Sequence, residues 1–205
     1  MAVRPGRIGL LGGSFDPVHT AHIALAKSAR STLDLDQVQL IPAANPWQRE
    51  PLKASSQHRL AMLDLAIKRC DWLAINTIEI DRGGKTYTVD TLRNLPLHNQ
   101  YYWIMGSDQL RNFCTWQSWQ EITERVVLAV AHRPGSPPQA PRALQRYLDM
   151  LGREIVSLPL PVLEISATEI RDQLAQGLTP SNNMLDDDVM TYISTHGLYQ
   201  APSGS

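Results

Sequence analysis

Residues 8–22 read IGLLGGSFDPVHTAH and combine a strand, a turn and the beginning of a helix. The apolar residues 8–11 are typical of a short buried strand, which ends at Gly12 and Gly13. Helical spacing and good helix formers follow over residues 21–33. A strand that enters a helix through a glycine-rich turn brings backbone N–H groups and a helix N-terminus to one place. This arrangement favours an anion-binding α/β fold.

The rest of the chain repeats the alternation of strands and helices. Further strands are predicted at residues 38–42, 73–80, 101–105, 126–131 and near 155–158. Further helices are predicted at residues 55–70, 88–95, 142–151, 169–175 and 187–195. The pattern predicts an α/β, Rossmann-like, doubly wound fold with a mainly parallel sheet and helices on both faces. We expect a single domain over residues 1–199 and a flexible C-terminal tail over residues 200–205.

Composition excludes several classes of protein. The 205 residues carry a net charge of −1, so the chain is not a basic nucleic-acid binder. No apolar run approaches the roughly 20 residues that a membrane-spanning helix needs. Cys70 and Cys114 are interpreted as reduced thiols, and a cytoplasmic location is expected. Nucleic-acid and membrane partners are not expected, and a homo-oligomer is left open.

His19 and His22 are the chemical groups of the first turn. Their spacing at a helix start puts both rings on one face, where imidazoles can donate to phosphoryl oxygens. A helix-capping pair and a metal-binding pair are the alternatives. Asp16-Pro17 is a turn-forming pair, and Phe15 is expected in the core. The sequence matches neither the Gly-x-Gly-x-x-Gly pattern nor a Walker loop.

A second candidate anion site is residues 165–171, ISATEIR. Ser166 and Glu169 form a predicted capping box that opens a helix. Thr168 and Arg171 lie three residues apart on one helical face. They would extend the positive end of that helix toward an anion.

The two segments resemble the phosphate-binding motifs of the HxGH nucleotidyltransferases, which include nicotinate-nucleotide, nicotinamide-nucleotide and pantetheine-phosphate adenylyltransferases. Ala21 stands where that superfamily usually has glycine. The resemblance implies catalytic roles for His19, His22 and Arg171. The residues that it implies bind ATP are Gly12, Gly13, Ser14, Phe15, His19, His22, Ser166, Thr168 and Arg171.

The middle of the chain resembles the nicotinate branch. Gly106-x-Asp108-x-Leu110 with a downstream tryptophan implies that Trp116 stacks on a pyridine ring, whereas Trp119 is interpreted as packing. The segment from Thr86 to Thr88 resembles a site that receives the ring carboxylate. The full set of implied acceptor-binding residues is Thr86, Tyr87, Thr88, Asp108, Trp116 and Arg133.

Basic residues after the second strand are candidates for triphosphate contacts. Arg49 and Lys53 are the candidates, while Gln48 stands where the family commonly has histidine. Arg59 is predicted to be a wall of the site or a member of a salt bridge. Mg²⁺ is expected on the triphosphate, held through substrate oxygens and water, with Asp16 as the one candidate protein ligand.

The resemblance implies that the phosphate of nicotinate mononucleotide attacks the α-phosphorus of ATP and releases pyrophosphate. No Ser-His-Asp or Cys-His set is evident, so no covalent intermediate is expected. A transferase for nicotinamide mononucleotide or 4′-phosphopantetheine is the nearest alternative. A non-catalytic nucleotide sensor is the alternative from a different class.

Overall fold

The sheet of the computed structural model contains six strands, all parallel within the described residues, 4–45, 51–133, 135–159, 165–181 and 183–201. The strands are β1 (Arg7–Gly13), β2 (Gln37–Pro42), β3 (Leu73–Ile75), β4 (Gln100–Gly106), β5 (Val127–His132) and β6 (Val156–Pro159). Their order is β3-β2-β1-β4-β5-β6. The winding direction reverses between β1 and β4, which leaves a crevice at the carboxyl ends of these two strands. The predicted fold class is confirmed.

Helices connect the strands and cover both faces of the sheet. Those of the described chain are α1 (Thr20–Leu33), α2 (Ser56–Ile67), α3 (Ile78–Arg82), α4 (Thr88–Arg93), α5 (Ser107–Asn112), α6 (Trp119–Arg125), α7 (Arg142–Leu151), α8 (Ala167–Ala175) and α9 (Asp187–Thr195). A 3₁₀ turn, Phe113–Thr115, follows α5. Residues 202–205 of the predicted tail lie outside the described residues.

Successive residues of each strand point to opposite faces, so the sheet separates two hydrophobic cores. On β4, Tyr102 and Ile104 pack toward the face covered by α1, α2, α8 and α9. Trp103 and Met105 pack toward the face covered by α4, α5, α6 and α7. Both faces are apolar because both are covered, as expected for a parallel sheet.

The strand predicted over residues 73–80 is wrong beyond Ile75. The Asn76 side chain accepts a hydrogen bond from the Ile78 N–H at 3.1 Å and turns the chain into α3. A side chain that bonds the backbone two residues ahead is a turn, and it ends the strand. Helices α5 and α6, of six and seven residues, were not predicted from the sequence.

Within the described ranges, none of the helices combines the length and the apolarity that a membrane span requires.

Candidate active site

The crevice between β1 and β4 is lined by glycines whose missing side chains permit close packing. A Cβ on Gly12 would lie 3.0 Å from Cζ2 of Trp103 on the neighbouring strand. A Cβ on Gly13 would lie 3.1 Å from the ring of Phe15. The backbone of the loop therefore rests directly on two aromatic rings, an approach that only glycine permits at these two positions.

Phe15 fixes the shape of this loop. Its φ of 47° is left-handed, and its ring is fully buried, as the sequence predicted. The ring meets His22 edge to face, with centroids 4.9 Å apart. Any contact of Phe15 with a nucleotide is therefore made by its backbone.

The predicted proximity of the two histidines is confirmed. His19 is the N-cap of α1, and its ring stacks on that of His22 at 3.7 Å between centroids. The His19 N–H donates to Nδ1 of His22 at 3.2 Å, so His22 is a neutral ring with its proton on Nε2. Among the described residues, no group of three His, Cys, Asp or Glu side chains converges as metal ligands do.

Burial sets the charge of His19. The residue is 8% exposed, and burial lowers the pKa of its imidazole to about 4. A neutral ring at pH 7 follows, because a buried cation is costly. Within the described chain, its Nδ1 atom has no hydrogen-bond partner. The helix N-terminus thus presents two uncharged imidazoles, whose N–H groups suit phosphoryl oxygens.

Asp16 ties the loop to two distant parts of the chain. Oδ2 accepts from the Lys53 N–H at 2.7 Å, and Oδ1 accepts from the Ala54 N–H at 3.0 Å and from the Tyr199 hydroxyl at 2.7 Å. Burial, and then the charge of Asp16, raise the pKa of Tyr199, which keeps its hydroxyl a donor. A carboxylate that is 3% exposed and accepts three hydrogen bonds is a structural tie. That use argues against its role as a magnesium ligand.

Arg59 of α2 bonds to the same loop through its guanidinium. Its side chain is 1% exposed, and it donates to the Ser14 carbonyl at 2.7 Å and to the Ala43 carbonyl at 2.8 Å. These bonds join the loops after β1 and β2. Burial lowers the pKa of Arg59, whereas Asp16 and Tyr199 raise it. Arg59 makes no salt bridge within the described residues, so the predicted salt-bridge role is not found there, and its role as a wall of the site stays a prediction.

The second motif meets the first in space. One terminal nitrogen of Arg171 donates to the Asp16 carbonyl at 2.8 Å, and the other donates to the Thr168 hydroxyl at 3.2 Å. Ser166 caps α8 by accepting from the Glu169 N–H at 3.1 Å. The two segments, more than 140 residues apart in sequence, therefore place two helix N-termini and a guanidinium beside one loop.

The predicted acceptor segment is attached to the loop that follows β2. The Thr86 N–H donates to the Asn45 carbonyl at 3.2 Å, and the Asn45 N–H donates to the Thr86 hydroxyl at 3.3 Å. Tyr87 is the N-cap of α4, and Thr88 is its first residue. The predicted helix start is confirmed.

Trp116 is half-buried and fixed by other aromatic rings. It meets Trp103 at 90° with centroids 6.3 Å apart, and Phe113 at 49° with centroids 5.3 Å apart. Trp119 packs against Phe113 and Tyr147, in agreement with its predicted packing role. Trp116 therefore has a rigid support.

The charged candidates are more exposed. Asp108, in the first turn of α5, is exposed, and its Oδ1 would lie 2.6 Å from a Cβ on Gly106. Arg133 follows β5 and is exposed, as is Lys53, whose backbone N–H reaches Asp16. Gln48 and Arg49 lie outside the described residues.

A cytidylyltransferase-like family model matches residues 10–173, which include both motifs. A probable nicotinate-nucleotide adenylyltransferase of Bordetella pertussis is 57% identical over 194 residues, covering 95% of this chain and 98% of the relative. One of Methylibium petroleiphilum is 38% identical over 204 residues, covering 97% of this chain and 94% of the relative. The chain belongs to the nicotinate-nucleotide adenylyltransferase family.

The fold of this adenylyltransferase-family chain is also found in solved structures. The nicotinic acid mononucleotide adenylyltransferase of Plasmodium falciparum complexed with APC superposes with a TM-score of 0.72. It is 19% identical in sequence, and the match covers 95% of this chain and 97% of the other. At this identity the likeness concerns the fold alone.

Sequence reasoning missed the internal supports of the site. The donors on Asp16 from Lys53, Ala54 and Tyr199 come from segments distant in sequence, and two of them are backbone N–H groups. Every residue except proline has a backbone N–H, so the amino-acid sequence does not reveal which of these groups bonds to Asp16. Tyr199 lies beyond the residues that the family model matches.

Proposed function

We propose that this protein transfers the adenylyl group of ATP to nicotinate mononucleotide and forms deamido-NAD and pyrophosphate, a step of NAD biosynthesis. The observation that carries the proposal is the convergence of His19, His22 and Arg171 around the Asp16 loop. Membership of the nicotinate-nucleotide adenylyltransferase family supports the choice of acceptor.

The proposed reaction is a direct displacement. An oxygen of the acceptor phosphate forms a bond to the α-phosphorus of ATP, and the bond from that phosphorus to the bridging oxygen breaks. The electron pair leaves with pyrophosphate. The chain then contributes positioning and charge stabilisation without a covalent intermediate. Mg²⁺ enters with ATP as part of the substrate.

The two histidines would act on the α-phosphoryl group. The Nε2–H of His22 and the neutral ring of His19 stand at the N-terminus of α1, where the helix dipole also favours negative charge. Donors fixed before the reaction lower its barrier, because they need no rearrangement as charge develops. Gly12, Gly13, Ser14 and Phe15 would supply backbone contacts.

The leaving pyrophosphate would lie at the N-terminus of α8. Arg171 and Thr168 are already bonded to each other and to the Asp16 loop. Ser166, as the N-cap, orients the first turn of the same helix. Lys53 and Arg49 are proposed as further phosphate contacts.

The acceptor would lie across the crevice from the triphosphate. Trp116 would stack on the pyridine ring, and the segment from Thr86 to Thr88 would receive the ring carboxylate through the start of α4. A carboxylate makes a charge-assisted contact there that an amide cannot match. Asp108 and Arg133 are proposed to contact the ribose and phosphate of the acceptor.

The test is pyrophosphate release from MgATP with nicotinate mononucleotide, with nicotinamide mononucleotide and with no acceptor. We expect release with the nicotinate compound and a much lower kcat/KM with the amide. Equal values would shift the assignment to a dual-acceptor transferase. Nucleotide binding without pyrophosphate release would identify a sensor. The proposed setting is the cytoplasm with small-molecule partners only, and light scattering will test whether copies associate.

A further inference from the structure

A buried acid lies outside the phosphate site. Glu79 of α3 is 4% exposed, and its Oε1 accepts from the hydroxyl of Thr91, which is itself fully buried, at 2.7 Å. Arg82 donates to the same hydroxyl at 3.4 Å. The charge of Arg82 acts on the Glu79 carboxylate, but no salt bridge joins the two within the described residues, and a carboxylate without a direct ion pair is costly to bury. Its presence in this place therefore needs an explanation other than stability.

The Glu79–Thr91 hydrogen bond closes a segment that carries the proposed acceptor contacts. The two residues are 12 apart in sequence, and Thr86 to Thr88 lie between them. The middle of the segment is held by the reciprocal bonds between Thr86 and Asn45. The segment is thus joined at its base by one side-chain pair, and at its middle by two bonds to Asn45, one of which is accepted by the Thr86 hydroxyl.

The turn between α3 and α4 contains two glycines, and the Gly83 N–H joins it to α3 by donating to the Glu79 carbonyl at 3.0 Å. Gly83 and Gly84 have φ values of 65° and 70°, a left-handed region that glycine enters at low cost. A Cβ on either would meet nothing within 4 Å, so both glycines face open space. The Glu79–Thr91 pair and the bonds between Asn45 and Thr86 are therefore two of the attachments of this segment, together with the burial of Val89 in the core on this face of the sheet.

We propose that Glu79 and Thr91 form a positioning pair for the acceptor site. By closing the 79–91 segment, they would hold the start of α4 where it receives the ring carboxylate of the acceptor. The proposal rests on the proposed function, because that function assigns Thr86, Tyr87 and Thr88 to the acceptor. Neither Glu79 nor Thr91 touches the reacting atoms in this proposal.

The ionisation of Glu79 supports this role. Burial raises the pKa of its carboxyl to about 6, against the opposing effects of Thr91 and Arg82. A raised carboxyl pKa means that the contribution of Glu79 to stability is fully present below pH 4.5 and is lost as the pH rises through 6. At neutral pH the ionised group is therefore kept at a cost in stability. A residue retained for packing alone would not need that charge.

The first test replaces both partners, Glu79→Leu with Thr91→Val, because removing a pair together leaves neither partner buried without the other and can be neutral for stability. The exposed Arg82, which loses its bond to the Thr91 hydroxyl, can bond to water instead. We expect a retained Tm and a KM for nicotinate mononucleotide raised roughly tenfold, the effect of one charge-assisted hydrogen bond. The KM for ATP should change less than about twofold, since ATP meets the other motif. An unchanged acceptor KM, or equal rises in both KM values, would overturn the proposal.

The second test uses Glu79→Gln, which keeps the shape and removes the charge. The acceptor phosphate also titrates near pH 6, so the measured quantity is the ratio of acceptor KM between variant and wild type at each pH. We expect a ratio of roughly three at pH 7.5 that falls toward one at pH 5.5, as wild-type Glu79 takes up its proton. A constant ratio would overturn the role of the ionised carboxylate.

Asp81→Asn is the matched control. Asp81 is an exposed carboxylate on the same helix and accepts from the Thr77 hydroxyl at 2.7 Å. Its removal should leave the acceptor KM within about twofold of wild type at every pH. Failure of the function itself is distinguishable, because wild type would then release no pyrophosphate with nicotinate mononucleotide.

Discussion

The proposed phosphate region, around Asp16, Arg59 and Arg171, and the proposed acceptor region, around Thr86, Asp108, Trp116 and Arg133, are built differently. In the phosphate region, Asp16, Arg59 and Arg171 are each bonded to fixed backbone atoms, and Asp16 and Arg59 are buried. In the acceptor region, Asp108 and Arg133 are exposed. The first region is therefore organised before a ligand arrives, whereas the second depends on how its loops are supported.

The difference follows from the chemistry of each half. Stabilising a triphosphate in the transition state needs donors at fixed positions, and rigid donors lose no free energy to rearrangement. Recognising an acceptor needs discrimination between a carboxylate and an amide, which one well-placed segment can supply. Changes in the first region should affect turnover, and changes in the second should affect the acceptor KM.

The largest effect is expected at His19. The His19→Ala variant should lower kcat by roughly 10²–10³, comparable to the removal of one preorganised donor. Pyrophosphate release under saturating substrates measures it. The control is His98→Ala. His98 is an exposed histidine just before β4, at the amino ends of the strands and away from the site. A kcat near that of wild type would refute the catalytic role of His19.

Asp16→Asn tests whether the phosphate region is held together by its buried tie. An amide would point its NH₂ group at one of the three donors, and we expect a loss of about 2–3 kcal/mol in the free energy of unfolding. In a chain of this size the Tm would fall by about 5–10 °C. Calorimetry with Asp34→Asn as the exposed control decides the point. A Tm equal to wild type would contradict the tie.

Trp116→Ala tests the acceptor region. Loss of stacking should raise the acceptor KM about tenfold and leave the KM for ATP nearly unchanged. Trp116→Leu should keep the packing on Phe113 without the stacking face, so its acceptor KM should also rise while its Tm stays close to wild type. Equal effects on the two KM values would remove the stacking assignment.

The last effect concerns the charge of His19 and appears only as the pH is lowered. Because burial lowers its pKa from 6.5 to about 4, the unfolded chain binds a proton in this range that the folded chain does not. Stability should therefore fall as the pH drops from 6.5 toward 4, by at most about 1.4 kcal/mol per pH unit. Denaturant unfolding at pH 7 and pH 5 compares wild type with His19→Asn, which retains a good N-cap. Identical pH slopes would show that His19 is not a buried neutral ring.

Prediction from sequence succeeded where a local pattern was sufficient. The stacked histidines follow from a spacing of three on a helix, and the cap of α8 follows from Ser166 and Glu169. It failed at α3, where the Asn76 side chain accepts a hydrogen bond from the Ile78 N–H and ends the strand that the alternating pattern predicted. The acceptor roles of Thr86, Asp108, Trp116 and Arg133 stay predictions, since they depend on contacts with a ligand.

The sequence by itself determined the alternation of strands and helices and the two candidate anion-binding segments. It also determined the resemblance to nucleotidyltransferases. Each of these depends on residues that are close together in the chain. The tertiary structure decided which distant groups meet. The bonds of Tyr199 and Arg171 to Asp16 span 183 and 155 residues, and no local propensity encodes them. They form because the winding of the sheet reverses between β1 and β4, and this reversal brings loops from separate parts of the chain to one end of the sheet.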